Sequence, residues 1–473
     1  KNTCFAYPLM GANRAFRGGV ALPKTARRES AAPTCFRMGR RMGSIGRKGG
    51  GSMAANASDA ERAPWLTRPQ PRLRLGGLVL LLLVASLITP LSLDMYTPAI
   101  PRMAGYFGTD EATVNLTLWG YYLLFAAGML VFGPLSDKFG RRPILLAGFA
   151  FYVVGGVACA LSPTIHALIG ARLAQAVGAG AVSAVCMAVV KDSFRADRRE
   201  KILSIMQVLF VIGPAAAPSV GTAVLQVADW RATFWVLSAV GAVCLALTLL
   251  FRESLNPAER TDGGLASTLG QLGSVAKDRG FTAFLIITSL FEVAFMGYIA
   301  VGSYIYIDFF GVGEAGYSLF FGIAALLTAT GPFIWLACSH VTSARRFTTI
   351  LLVLSIALGP AITLVGESGP VAFCALFSAF AVAEAAGRPY MMNILLEQTK
   401  RNAGAASALM NCVRTGVGCV GMVLAALPWT SYVFGVGALM AGGMIVSLVG
   451  WIALLRSRTP LAGIKEDEPV SPW

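Results

Sequence analysis

The chain has 473 residues, of which 56% are hydrophobic and 13% charged, with 52 glycines and a mean hydropathy of +0.66. A soluble domain carries about 25% charged residues, so a water-soluble enzyme, a disordered protein and a disulfide scaffold are all excluded. Two histidines in the whole chain argue against a histidine-rich metal site. What remains is a polytopic membrane protein: at about 20 apolar residues per crossing, the length accommodates twelve helices.

The net charge of +15 is unevenly placed. Fourteen Lys/Arg face three acids up to Arg72, leaving only +4 for the other 401 residues. The Gly/Arg-rich run Arg37–Gly51 has no apolar periodicity to fold it. Residues 1–73 are therefore expected to be a basic disordered tail, partly upstream of a true start at Met53. A transit peptide is the alternative, weakened by the lack of an amphipathic face. The nine cysteines are scattered, with no Cys-x-x-Cys, and mostly serve as small apolar residues.

Hydropathy predicts a first six-span half (74–252) with spans at Leu75–Ile100, Val114–Pro134, Ile144–Leu161, Ile165–Val190, Ile202–Val227 and Ala232–Phe251. A polar linker (253–280) follows. A second half (281–456) has spans at Phe281–Phe310, Tyr317–Cys338, Thr348–Val365, Val371–Leu396, Ala405–Leu427 and Tyr432–Leu455, and a tail (457–473) ends the chain. The expected fold is an all-α bundle of two six-helix halves. Loops 2–3, 4–5, 8–9 and 10–11 and the linker are rich in Lys/Arg, whereas the opposite loops carry only Arg102 and Arg231. By the positive-inside rule both termini are expected in the cytoplasm.

Between spans two and three stands Gly133-Pro-Leu-Ser-Asp137-Lys138-Phe-Gly140-Arg141-Arg142. It resembles the signature loop of the major facilitator superfamily at every position. Gly133 and Gly140 are expected to allow tight turning and close helix approach. Asp137, Lys138, Arg141 and Arg142 form a charge cluster suited to a conformational latch; the alternative is that its cations only set topology.

Two charges lie inside predicted spans of the first half: Asp94, in Asp94-Met-Tyr-Thr-Pro-Ala-Ile-Pro101, and Arg172, in Arg172-Leu-Ala-Gln175-Ala-Val-Gly178. A charge at such depth costs at least about 2.5 kcal/mol and normally faces a partner or an aqueous cavity. The first element resembles the bicyclomycin/chloramphenicol-resistance branch of drug:proton antiporters, with Thr97 in place of that branch's usual leucine. The second resembles the superfamily's fourth-helix motif, whose implied role is proton coupling. Burial and a nearby cation shift a carboxyl's proton affinity in opposite directions, so moving Arg172 relative to Asp94 would switch a proton on or off. The alternative is that Asp94 caps a broken helix ahead of Pro98.

Span five carries Gly213-Pro214-Ala-Ala-Ala-Pro218-Ser-Val-Gly221, which permits a kink and close packing. It partly resembles the antiporter helix-five motif, lacking the paired glycine after the proline. Tyr304-Ile-Tyr306-Ile-Asp308 falls where the branch has a Ser/Pro-containing run, absent here. The resemblance covers residues 75–455.

Further polar or aromatic residues are candidates for a central cavity: Tyr121, Tyr122, Gln175, Glu292, Tyr298, Glu384, Arg388 and Arg414. Glu384 and Arg388 are one helical turn apart and expected to pair, whereas Glu292 and Arg414 have no partner nearby in sequence. The function implied is a proton-coupled exporter of small hydrophobic or amphipathic compounds working by alternating access; a metabolite or nutrient carrier on the same fold is the alternative. No metalloprotease, Walker or serine-hydrolase motif appears. The expected partners are a small-molecule substrate, protons and the lipid bilayer of the cell (inner or plasma) membrane, not nucleic acid, for a monomer without cofactor or metal.

Overall fold

The structure, a computed structural model, describes residues 70–260, 265–399 and 403–457 with Thr459, Leu461 and Ile464. The expected basic tail up to residue 69, the pair Lys400–Arg401 and most of the C-terminal tail lie outside the described residues.

Among the described residues, twelve helices are long and apolar enough to cross a membrane. They are α1 (Arg74–Phe107), α2 (Glu111–Phe139), α3 (Arg141–Ala160), α4 (Ile165–Ser193), α5 (Arg198–Leu225), α6 (Arg231–Leu250), α7 (Arg279–Phe309), α8 (Gly313–Cys338), α9 (Ala344–Ser368), α10 (Pro370–Gln398), α11 (Gly404–Ala425) and α12 (Tyr432–Arg456). An additional helix, Leu265–Ala276, lies in the linker and packs Leu272 and Val275 inward. Side-chain caps start several spans by accepting otherwise unpaired backbone N–H groups. Thr164 opens α4, Asp278 opens α7, Ser343 opens α9 and Ser431 opens α12.

The predicted boundaries fall short at two informative places. α1 continues past Ile100 to Phe107, because Pro98 and Pro101 sit in first-turn positions where proline has no N–H to lose. α2 runs beyond Pro134 through Asp137 and Lys138, stopping only at Gly140, whose φ of +103° ends the helix.

Spans α7, α4 and α10 are the most interior, with 78%, 61% and 61% of their most apolar stretch buried, and Glu292, Arg172 and Glu384 on them are buried. Small residues bring the first-half helices into backbone contact. A Cβ on Gly180 would lie 2.4 Å from the Phe125 oxygen of α2, and one on Gly178 would lie 2.6 Å from the Gly148 oxygen of α3. Helix packing in lipid rests on such close approach. Here it fixes the height of Arg172 between α1, α2 and α6.

The two halves are tied together at the end of the bundle that carries loops 1–2, 7–8 and 11–12. Arg102 pairs with Glu314, and Tyr432 donates to Glu111. Tyr317 donates to Thr97 at 3.0 Å, and the Thr222 and Ser318 hydroxyls lie 2.7 Å apart.

Candidate functional site

α1 is helical to Asp94, turns through Met95 and Tyr96, and resumes as a short 3-10 turn at Thr97–Ala99. Asp94 is 4% exposed. Its backbone carbonyl accepts from the Thr97 hydroxyl at 2.7 Å, but among the described residues nothing forms a hydrogen bond or ion pair with its carboxylate. The capping alternative is thereby corrected: the break is held by Thr97 and by proline, not by the acid.

Arg172 is fully buried. It donates to Gln175 Oε1 at 2.8 Å and to the Ser92 carbonyl at 2.9 Å, and its guanidinium lies 4.1 Å from the Tyr121 ring centre and 4.4 Å from that of Tyr96. Among the described residues it has no carboxylate partner. Two aromatic faces and two oxygen acceptors replace a counter-ion, a combination that suits a weakly hydrated planar cation. Asp94 and Arg172 are therefore brought to the same break in α1 but are not paired. Tyr121 belongs to this site as a wall of the arginine and has no exposed surface.

The helix-five motif acts on the same break. A Cβ on Gly213 would lie 2.5 Å from the Pro90 ring, and one on Gly221 would lie 1.7 Å from the Met95 oxygen. Pro218 is buried between them and Pro214 is half-buried. The glycines of α5 thus seat α1 on both sides of Asp94.

In the signature loop, Arg141 holds the centre. It binds Asp137 at 2.6 Å, Asp192 at the end of α4 at 2.8 Å, and the Ser136 hydroxyl at 2.7 Å. Glu253, beyond α6, accepts the backbone N–H groups of Arg141 and Arg142 at 2.9 and 3.0 Å, satisfying the open N-terminus of α3. Gly140 is needed twice, for its positive φ and because a Cβ there would fall 2.6 Å from Glu253 Oε2. The expectation for Gly133 is corrected: it lies inside α2, and a Cβ there meets nothing within 4 Å. Lys138 approaches the Phe139 ring, and Arg142 donates to the Leu249 carbonyl. Asp192 and Glu253 were missed by sequence reasoning; both are acids in mixed-charge stretches whose partners are set only by the fold.

The second half holds a charge cluster that joins three spans. Glu384 Oε1 accepts from Arg388 Nε at 2.6 Å and from Arg414 Nη2 at 3.0 Å. Glu292 Oε1 accepts from Arg414 Nε at 3.0 Å and Nη2 at 2.5 Å, and lies 3.6 Å from Arg388 Nη2. The expected Glu384–Arg388 pair is present, and Glu292 and Arg414 complete it across 122 residues of sequence. Tyr298 does not line open space: it is 2% exposed and stacks on Phe377 with ring centres 3.7 Å apart. Just beyond it, Tyr304–Phe309 forms a π-helical stretch, a local widening often found at functional sites.

Comparison with known proteins gives a consistent result. A family model described as Major Facilitator Superfamily matches residues 82–422. The chain is 28% identical to "Uncharacterized MFS-type transporter YdgK" of Bacillus subtilis over 83% of this chain and 98% of that protein. It is 33% identical to a "Chloramphenicol resistance protein" of Pseudomonas aeruginosa over 54% of this chain and 60% of that one. It is 27% identical to "Multidrug resistance protein MdtL" of Klebsiella pneumoniae over 81% and 95%. Among solved structures, a bacterial homologue of the lysosomal transporter Spinster aligns with a TM-score of 0.65 at 14% identity, covering 82% of this chain and 98% of that one. The nucleoside transporter NupG aligns at 0.64 and 15%, covering 80% and 100%, a likeness of fold alone. Twelve spans in two halves and a family match across most of their length lead to one conclusion: this chain belongs to the Major Facilitator Superfamily and is a multi-pass membrane transporter, not an enzyme.

Proposed function

We propose that the protein is a proton-coupled exporter of small hydrophobic or amphipathic compounds, working as a monomer in the inner or plasma membrane with both termini in the cytoplasm. The observation that carries this reading is Asp94, a buried carboxyl at the break of α1 with no fixed counter-ion among the described residues. Such a group exchanges a proton without first breaking an ion pair, as a carrier must do once in each cycle. An ionisable residue inside a membrane is by default a functional one.

Arg172 serves as the positioning residue. By holding the Ser92 carbonyl it fixes the helix segment that presents Asp94, and it does not pair with the acid. The links through Arg102, Glu111, Thr222 and Tyr317 close the outer end in this state, and the signature loop belongs to the inner end. Export over uptake is supported by the relatives named for chloramphenicol and multidrug resistance.

The test is expression in a bacterial host stripped of its own pumps. Resistance to a panel of amphipathic compounds should rise and collapse on addition of a protonophore. Accumulation driven inward, or resistance indifferent to the protonophore, would overturn the reading.

A further inference from the structure

The charge cluster of α7, α10 and α11 is neutral in sum, yet it does not present its two signs equally. The carboxylates are hidden: the side chains of Glu384 and Glu292 are 1% and 5% exposed, their Oε1 atoms are occupied by arginine, and both Oε2 atoms are buried with no partner. The arginine side chains are partly open, at 43% exposed for Arg388 and 22% for Arg414. Each uses Nε and Nη2 on the glutamates and leaves Nη1 without an acceptor among the described residues. Both Nη1 atoms keep accessible surface. These are mid-span positions, and α11, which carries Arg414, meets α2 of the first half, where Cys419 Sγ lies 3.5 Å from the Trp119 carbonyl oxygen. The open side therefore belongs to the region between the halves.

An organic cation arriving there meets no carboxylate oxygen it can reach. An oxyanion meets two Nη1 groups, one from each arginine, already held in place by the glutamates and able to give it charge-assisted hydrogen bonds. Arg388 also lies 5.5 Å from the ring centre of the partly exposed Phe295, which stacks toward Phe377 and offers an apolar face next to the donors.

We propose that Arg388 and Arg414 bind an acidic group, carboxylate, sulfonate or phosphate, on the transported amphiphile, so that the preferred cargo is an aromatic or amphipathic anion. This rests on the exporter reading and narrows it. Arg388 is the recognition residue to test, because Arg414 pins both glutamates and its loss would disturb the packing of three spans.

The full chain is reconstituted in vesicles with an imposed pH gradient and offered three probes: anilinonaphthalene sulfonate, N-phenylnaphthylamine, which has the same rings without the sulfonate, and the cation ethidium. The sulfonate should be moved with a kcat/KM about tenfold or more above the other two, the effect of losing one hydrogen bond to a charged group. Arg388→Gln should raise KM for the sulfonate about tenfold and shift the sulfonate-to-amine ratio by the same factor. Arg388→Lys, which keeps the charge and loses the Nη1 donor, should fall between the parent and the Gln variant and covers the case in which the Gln variant does not fold. Gradient-driven transport of the amine or ethidium but not of the sulfonate would overturn this proposal and leave the exporter reading standing. An unchanged sulfonate-to-amine ratio in both variants would do the same. A gradient that drives none of the three would overturn the exporter reading and this site with it.

Discussion

Arg172 donates to the carbonyl oxygen of Ser92 at 2.9 Å, two residues before Asp94, and so anchors the end of the first helical segment of α1 without neutralising the acid there. The anchor depends on the fork of the guanidinium, which serves Ser92 and Gln175 at once while stacked on Tyr121. Arg172→Lys keeps the charge and loses that geometry. Gradient-driven transport in vesicles should fall about tenfold or more, corresponding to about 1.4 kcal/mol, with the protein still inserted. A Lys variant with the parent's rate would show that only the charge matters.

The seat of α1 on α5 makes a second prediction. Gly221→Ala forces a methyl group onto the Met95 oxygen, where a Cβ would fall at 1.7 Å. Overpacking of this kind costs about 1–3 kcal/mol, so thermal unfolding of the purified protein should begin several degrees lower and transport should be lost. Gly416→Ala, where nothing lies within 4 Å, is the control. It should leave stability unchanged or raise it by up to about 1 kcal/mol through helix propensity.

The closure between α5 and α8 is open to direct trapping. The Thr222 and Ser318 hydroxyls are 2.7 Å apart, so cysteines in both positions fall within disulfide reach. In a background with the nine native cysteines replaced, oxidation of the Thr222→Cys, Ser318→Cys variant should abolish transport, and reduction should restore it. Full transport by the crosslinked protein would mean that the halves do not part at this end.

The twelve spans were legible in the sequence because long apolar runs and basic loops are local signals. Their exact ends were not, since Asp137 and Lys138 read as loop residues but continue α2 until Gly140 stops it. That Asp94 and Arg172 need a special setting inside the bundle was legible from the cost of burying a charge. Their lack of mutual pairing was not, because Arg172 is satisfied by a backbone carbonyl and two ring faces, acceptors that leave no trace in composition. Glu292 and Arg414 looked solitary for the same reason: their partnership spans 122 residues and exists only once α7, α10 and α11 are packed. Gly133 and Gly140 look alike in the signature, yet only Gly140 has the positive φ and the crowding that require glycine.

The central claim is that Asp94 carries the coupled proton. The most direct measurement follows proton movement with a pH-sensitive dye as substrate is added to the purified protein in weak buffer. Repeating it with Asp94→Asn and pairing both with gradient-driven transport in vesicles isolates the acid. The parent protein should exchange about one proton per molecule on binding substrate and respond to the gradient; Asp94→Asn should fold, exchange none and be indifferent to it. Equal proton exchange and equal gradient response in the two proteins would contradict the account.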